Sequence, residues 1–338
     1  MKPTKRNLVL IIVILLLVPS AEPWPGPTLN LDRLTTEASL IAVGQITSVQ
    51  ELGRTSAQIG NRIVPARAML ATLRVDQVLK GTTDASSSSL RFHLTLPDEF
   101  VGWRSVAPLG YRIFFLAESS GELKLANPYH PSAPAVPGTE SREGTPIERV
   151  IAELAAVLES TKIPLPERQE AVYALNTTQD PAAITALKRV AEVQDLTLRL
   201  SVSAALLEHN DISTLQFAED TLLKPNSGIS PDLLHNLSYG IFIGVKDERA
   251  VPSLARLLHA TNTETRRAAA SALMHVGSTS CIDPLLSAIG DADFQVRYFS
   301  VIGLAEVTGQ MDWRPNMDDF KSDQGKYLNH WRDWSQSR

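Results

Sequence analysis

Seven histidines and a single cysteine are the side chains with the widest chemical reach in this 338-residue chain. His93, His130, His209, His235, His259, His275 and His330 are scattered, with no H-E-x-x-H spacing and no Cys/His cluster. Neither a zinc hydrolase nor a structural zinc site is expected from that pattern. No G-x-S-x-G elbow, phosphate-cradling glycine loop or EF-hand spacing occurs. Asp291-x-Asp293 and Asp318-Asp319 are acidic pairs in turns, readable as weak calcium contacts or as helix caps and solvated turns. Cys281 excludes an internal disulfide and reads as a small buried side chain rather than a nucleophile. No catalytic residue, metal or cofactor is expected, and the chain reads as non-enzymatic.

Four arginines recur with more order. Arg168, Arg199, Arg266 and Arg297 each stand seven residues before a leucine: Leu175, Leu206, Leu273 and Leu304. Arg168 and Arg199 are 31 residues apart, as are Arg266 and Arg297, and Val251-Pro252-Ser253-Leu254 falls on Ile282-Asp283-Pro284-Leu285 at the same shift. A planar guanidinium on such a grid has two uses. It builds an anion-binding ladder, or it bonds turn carboxylates such as Asp291 and Asp293 and nearby carbonyls. The second use is the expectation here, because ordered charges are more often structural than functional.

A fixed period of this size requires stacked helix pairs. Five pairs are expected, at 147–178, 181–209, 211–245, 247–277 and 281–309, with Leu233 in the arginine slot and Gly240 in the leucine slot of the third. In the fourth, Val251, Leu254, Leu257 and Leu258 form a one-sided stripe, the Thr261-Asn262-Thr263 break caps the next helix, and Gly277 ends it. The pattern Val-Pro-x-Leu followed by Val/Thr-Arg-x-x-Ala-x-x-x-Leu resembles the HEAT-repeat family, the short bacterial type in particular, over about residues 147–310. The resemblance implies an α-solenoid acting as a protein-binding scaffold. Some relatives attach or detach bilin pigments, which implies a bilin-lyase-like enzyme as one alternative.

The N-terminus carries a different signal. Lys2, Lys5 and Arg6 precede the apolar run Leu8–Val18, and Pro19-Ser20-Ala21 offers small residues for cleavage. This reads as a secretory signal peptide over 1–21, too short for a comfortable membrane span, with an uncleaved N-terminal anchor as the other reading. The mature chain is expected to be secreted or periplasmic.

Residues 30–127 change to period-two, β-branched texture. Ser39–Val49, Ala68–Val78 and Leu90–Leu96 read as strands, and Arg112–Ala117 and Glu122–Leu125 as a hairpin around Ser119-Ser120-Gly121. Gln50–Asn61 is expected to be a loop. A small antiparallel barrel or sandwich follows. Leu73–Gly81, after Ile41-Ala42-Val43-Gly44, resembles the strand end of netrin-like and tissue-inhibitor-like modules. That likeness implies an OB-type barrel and, as a second alternative function, inhibition of an exported protease.

Asn127–Pro146 is rich in proline and reads as a linker, ending in the helix start Thr145-Pro146-Ile147-Glu148. At the other end Tyr327, Trp331 and Trp334 share one helical face. They read as a cap on the open end of the solenoid, or as an aromatic ligand strip. The expected organisation is a multidomain α plus β chain: signal peptide (1–21), β-barrel or OB-like domain (30–127), linker (128–146), HEAT-like α-solenoid (147–310) and aromatic capping segment (311–338). From 141 onwards 19 Lys and Arg face 26 Asp and Glu, the wrong sign for a nucleic-acid groove. A protein or peptide partner is expected, with no nucleic acid and no membrane contact beyond the signal peptide or anchor.

Overall fold

Asn30 accepts a hydrogen bond from the Arg33 amide at 2.7 Å, which caps a short helix, α1 (Leu31–Glu37). The computed structural model describes residues 30–59, 61–83, 88–98, 110–127, 130, 132–139, 143–224 and 228–338. The expected signal peptide lies outside the described residues. Helix α1 was not expected from the sequence, because seven residues are too few to display a periodic stripe. Its Leu31 and Leu34 are buried, and the Leu31 amide donates to Thr177 Oγ1 at 3.1 Å, so it is docked on the helical part of the chain.

Among the described residues six strands follow: β1 (Leu40–Ile59), β2 (Arg62–Lys80), β3 (Ser89–Pro97), β4 (Arg112–Ser119), β5 (Glu122–Leu125) and β6 (Ser132–Pro134). Among the described residues they form one six-stranded sheet, not a two-sheet sandwich and not a clear barrel, in the order β1-β2-β3-β5-β4-β6. All pairings are antiparallel except a single parallel bridge between His93 and Lys124. Strand β1 also pairs with β4, over Leu40–Gly44. The stretch Gln50–Ile59, expected as a loop, continues β1 as half of a long ribbon paired with β2. Its side chains are mostly exposed, so it carries no apolar alternation to announce a strand. Ser120 and Gly121 turn β4 into β5 with positive φ at both residues (56° and 79°), as a two-residue hairpin requires.

Alternation along β1 and β4 buries both faces of the sheet. Leu40, Ala42, Phe114 and Leu116 pack with Leu73, Phe92 and Leu94 on one side. Ile41, Val43, Ile113 and Phe115 pack on the other with Val150, Leu154 and Val172 of the first helices. That double burial accounts for the unbroken apolar runs Ile41-Ala42-Val43 and Ile113–Leu116. The proline-rich stretch expected as a linker contributes β6, and its Ala133 and Ala135 are buried in the same core. The Arg112 guanidinium also bonds Glu170, and the Arg149 guanidinium donates to the Leu79 carbonyl at 3.2 Å.

Among the described residues, twelve α-helices follow the sheet. The pairs are α2 (Pro146–Glu159) with α3 (Leu165–Asn176), α4 (Pro181–Arg189) with α5 (Leu196–Glu208), α6 (Leu215–Leu223) with α7 (Pro231–Gly244), α8 (Val251–Leu257) with α9 (Thr263–Val276), and α10 (Ile282–Ala288) with α11 (Phe294–Thr308). Two more, α12 (Met317–Ser322) and α13 (Gln324–Gln336), lie beyond them. Thr145 and Glu148 form the capping box that starts α2. The second helices α3, α5, α7, α9 and α11 pack on one another as one layer. Leu175, Leu206, Leu273 and Leu304 are fully buried between the layers.

The third pair departs from the expected register. Helix α7 starts 32 residues before α9, where Leu233 and Gly240 in those slots would require 33, so Leu234 and the fully buried Ile241 take the arginine and leucine slots instead. Gly240 instead sits where α7 crosses α5: a Cβ there would come within 2.6 Å of the Ala204 carbonyl. At Gly244 a Cβ would overlap the Leu207 carbonyl. These two glycines let the backbones of α5 and α7 touch.

Candidate functional site

The apolar residues left outside the core mark one layer. Within the five helix pairs the large exposed hydrophobic side chains, among the described residues, are Tyr173 on α3, Leu196 on α5, and Tyr239 and Ile243 on α7. All four belong to second helices. Around Tyr239 the layer opens into a groove of about 180 Å³ lined by His235, Ser238, Tyr239, Phe242, Glu264, Arg267, Ala268 and Gln295. It spans α7, α9 and α11.

Helix starts set the groove's polar side chains. Ser230 caps α7 and places His235 on the second turn. Asn262 caps α9 by accepting from the Glu264 amide at 2.7 Å, leaving Glu264 in the first turn, where a carboxylate is favoured. His235 Nδ1 and Glu264 Oε2 meet at 3.1 Å across the two helices. The His235 and Tyr239 rings stack, with centroids 6.3 Å apart. Asp293 caps α11 and also receives the Arg267 guanidinium in a two-pronged pair at 2.9 and 2.7 Å. The guanidinium holds the Asp293 carboxyl down at about 2, and the two helix-start amides reinforce it. Beneath the groove Ser238 and Thr265 share a buried hydroxyl contact at 3.1 Å, and Phe242 meets Phe299 edge-on.

The arginine column lies elsewhere. Arg168 is buried and donates from Nε and Nη2 to the Leu158 carbonyl at 3.0 and 2.7 Å. Arg199 pairs with Glu192 at 2.8 Å and lies 4.0 Å from the centre of the Phe217 ring. Arg266 grips Asp291 at 2.8 Å and the carbonyls of Ala260 and Thr261 at 3.1 and 3.2 Å. Arg297 donates to the Asp291 and Ala292 carbonyls, both at 2.8 Å, and to Gln324 Oε1 at 2.8 Å. Arg266 and Arg297 thus bond the turns preceding their own helices, and Arg168 bonds the last turn of the helix before its own.

Tyr327 and Trp331 are buried in the core that also holds Leu304, and Trp334 packs against that core. Trp313 stacks on His330 at 3.7 Å. Cys281 is buried, and burial pushes its thiol pKa up, away from reactivity. Asp318 and Asp319 lie in the first turn of α12, their amides held by Asn316. Among the described residues no group of three or more His, Cys, Asp or Glu side chains is placed to hold a metal. No helix among them is long and apolar enough to cross a membrane.

The groove was not apparent in the sequence. His235 and Asp293 were singled out, but Tyr239, Phe242, Glu264 and Arg267 were not, because the four come from two repeats whose register differs by one residue. A signal was present: Tyr239 occupies the position of Ser271 and Ile302, which are buried in the neighbouring pairs.

Comparison with known families places this region. HEAT repeats match residues 240–305, from within α7 to within α11, the stretch that carries most of the groove. HEAT repeats are generally protein-interaction scaffolds. No curated protein matches the chain.

Proposed function

We propose that the chain is an exported, non-enzymatic scaffold that binds a protein partner along its second-helix layer, centred on the α7–α9–α11 groove. One observation carries this reading: within the five helix pairs, among the described residues, the exposed large apolar side chains lie on second helices and none on first helices. Exposed aromatic and aliphatic side chains confined to one layer are a feature of interaction surfaces, in which tyrosine is enriched. The basic start and the Leu8–Val18 run support export. The strand pairings, which run β1-β2-β3-β5-β4 and back to β1, support an OB-type closed sheet at the N-terminus.

Photocrosslinking side chains placed at Tyr173, Tyr239 and Ser287 test the reading in the native host. Ser287 is exposed on the first helix α10 and serves as the control. The expected result is a covalent partner from the two tyrosine positions and none from Ser287. Crosslinks from Ser287 alone would move binding to the other layer. N-terminal sequencing of the purified chain tests export; an intact Met1 start in a cytoplasmic fraction would remove that part.

A further inference from the structure

We infer that the α7–α9 groove receives a basic side chain, arginine or lysine, projecting from a segment of the partner protein. This rests on the scaffold reading above and adds the chemistry of what binds.

Charge decides the sign. One carboxylate, Glu264, and one guanidinium, Arg267, line the groove, and Asp293 beside it pairs with that guanidinium. Arg267 is already held by both oxygens of Asp293, so an incoming acid would have to displace a pre-formed two-pronged pair. Glu264 has no such partner. Its contact is His235, which carries charge only when protonated, and both side chains are more than half exposed. Arg267, three residues on, also feels the Glu264 charge, but its fork is committed to Asp293, so Glu264 is the groove carboxylate left open to a further cation.

Shape and ring chemistry agree with that sign. Tyr239 is 48% exposed and stacks on His235, presenting an aromatic face one turn along α7. A cation favours such a face, and a guanidinium can stack on it while its fork reaches a neighbouring carboxylate. Phe242 and Ala268 line the same groove and supply apolar surface for the side chain's aliphatic stem. The wider array carries a net formal charge of −7 over 141–338, which steers a basic segment toward it.

A random dodecapeptide library selected on the purified chain, followed by one substitution cycle, tests the inference. Selected peptides are expected to be enriched in Arg or Lys flanked by apolar residues. Replacing the basic residue by citrulline, neutral and of similar shape, should weaken binding to the wild type roughly two- to fivefold per lost contact. On the Glu264→Gln variant the same replacement should have a clearly smaller effect, since its partner is gone. Equal losses on wild type and Glu264→Gln overturn the inference. So do peptides without basic residues that still depend on Tyr239, and these leave the groove reading standing. Peptides indifferent to Tyr239→Ala, or no enrichment at all, overturn both. Unchanged circular dichroism of the two variants, whose altered side chains are exposed, separates lost contact from lost fold.

Discussion

Glu153 is a carboxylate whose chemistry runs against its surroundings. It sits on α2, fully buried, and neither carboxylate oxygen has a hydrogen-bond partner among the described residues. Burial pushes its pKa from 4.5 up to about 7, with the Thr139 hydroxyl pulling weakly the other way. Tyr111, on the sheet side, is the titratable group that feels its charge, and burial lifts that phenol to about 12. The raised carboxyl fixes the sign of the pH dependence. Below pH 4.5 folded and unfolded chains both hold the proton, and Glu153 is tolerated. As pH rises through 7 that tolerance is lost, to about 3 kcal/mol at full ionisation. Glu153→Gln should therefore flatten the fall in urea midpoint between pH 5 and pH 8; parallel profiles for the two proteins would refute this. Asp293 works in the opposite window. Its carboxyl is depressed to about 2, so the stability from its pair with Arg267 is present above pH 3.8 and lost as pH falls toward 2. Asp293→Asn should remove the acid-side loss without altering the profile above pH 5.

At the scale of elements, the crossing of α5 and α7 is the tightest in the array. Gly244→Ala drives a methyl into the Leu207 carbonyl, and backbone cannot yield as a side-chain tip does. A loss of about 1–3 kcal/mol is expected, read as a lower urea midpoint with unchanged slope. An unaffected midpoint would mean that α7 shifts freely and that its place is set elsewhere. The same crossing explains what sequence could and could not disclose. Leu273 and Leu304 stood out because their pairs keep one period, and Thr145-Pro146-Ile147-Glu148 stood out because capping is a local interaction. The third pair blurred because α7 is displaced by one residue and holds glycine at two contact points. The outer half of β1 stayed hidden since a two-stranded ribbon with exposed faces needs no apolar alternation. The groove stayed hidden for a different reason: His235 meets Glu264 through stacking across repeats, and no local rule encodes that contact.

At the scale of the whole molecule, the cores do not divide where the chain changes from strands to helices. One core joins the outer face of the sheet to the first two helix pairs, through Phe115, Ile113, Val150, Leu154, Leu187 and Val202. A second runs from the inner end of α5 through the last three pairs to Phe320 and Trp331 of the capping helices. The inner face of the sheet keeps a third, smaller cluster around Phe92 and Phe114. Cooperative opening follows buried contacts rather than element type. The sheet should therefore open together with α2–α4, while α9–α13 behave as a separate unit coupled only through α5 and α7. Phe115→Ala is the discriminating change, because this side chain is 1% exposed and reaches the helices from the sheet. The loss should be about 3–5 kcal/mol. Hydrogen exchange should then accelerate in α2, α3 and α4 as much as in β1 and β4, with α9 and α11 unchanged. If exchange rose only within the strands, the helices would be shown to hold their own core. The partner-binding groove would then stand on a solenoid independent of the sheet. If α9 and α11 accelerated equally, the array would be one cooperative body. A partner bound in the groove would then be expected to protect the sheet from exchange as well, at a distance of three helix pairs.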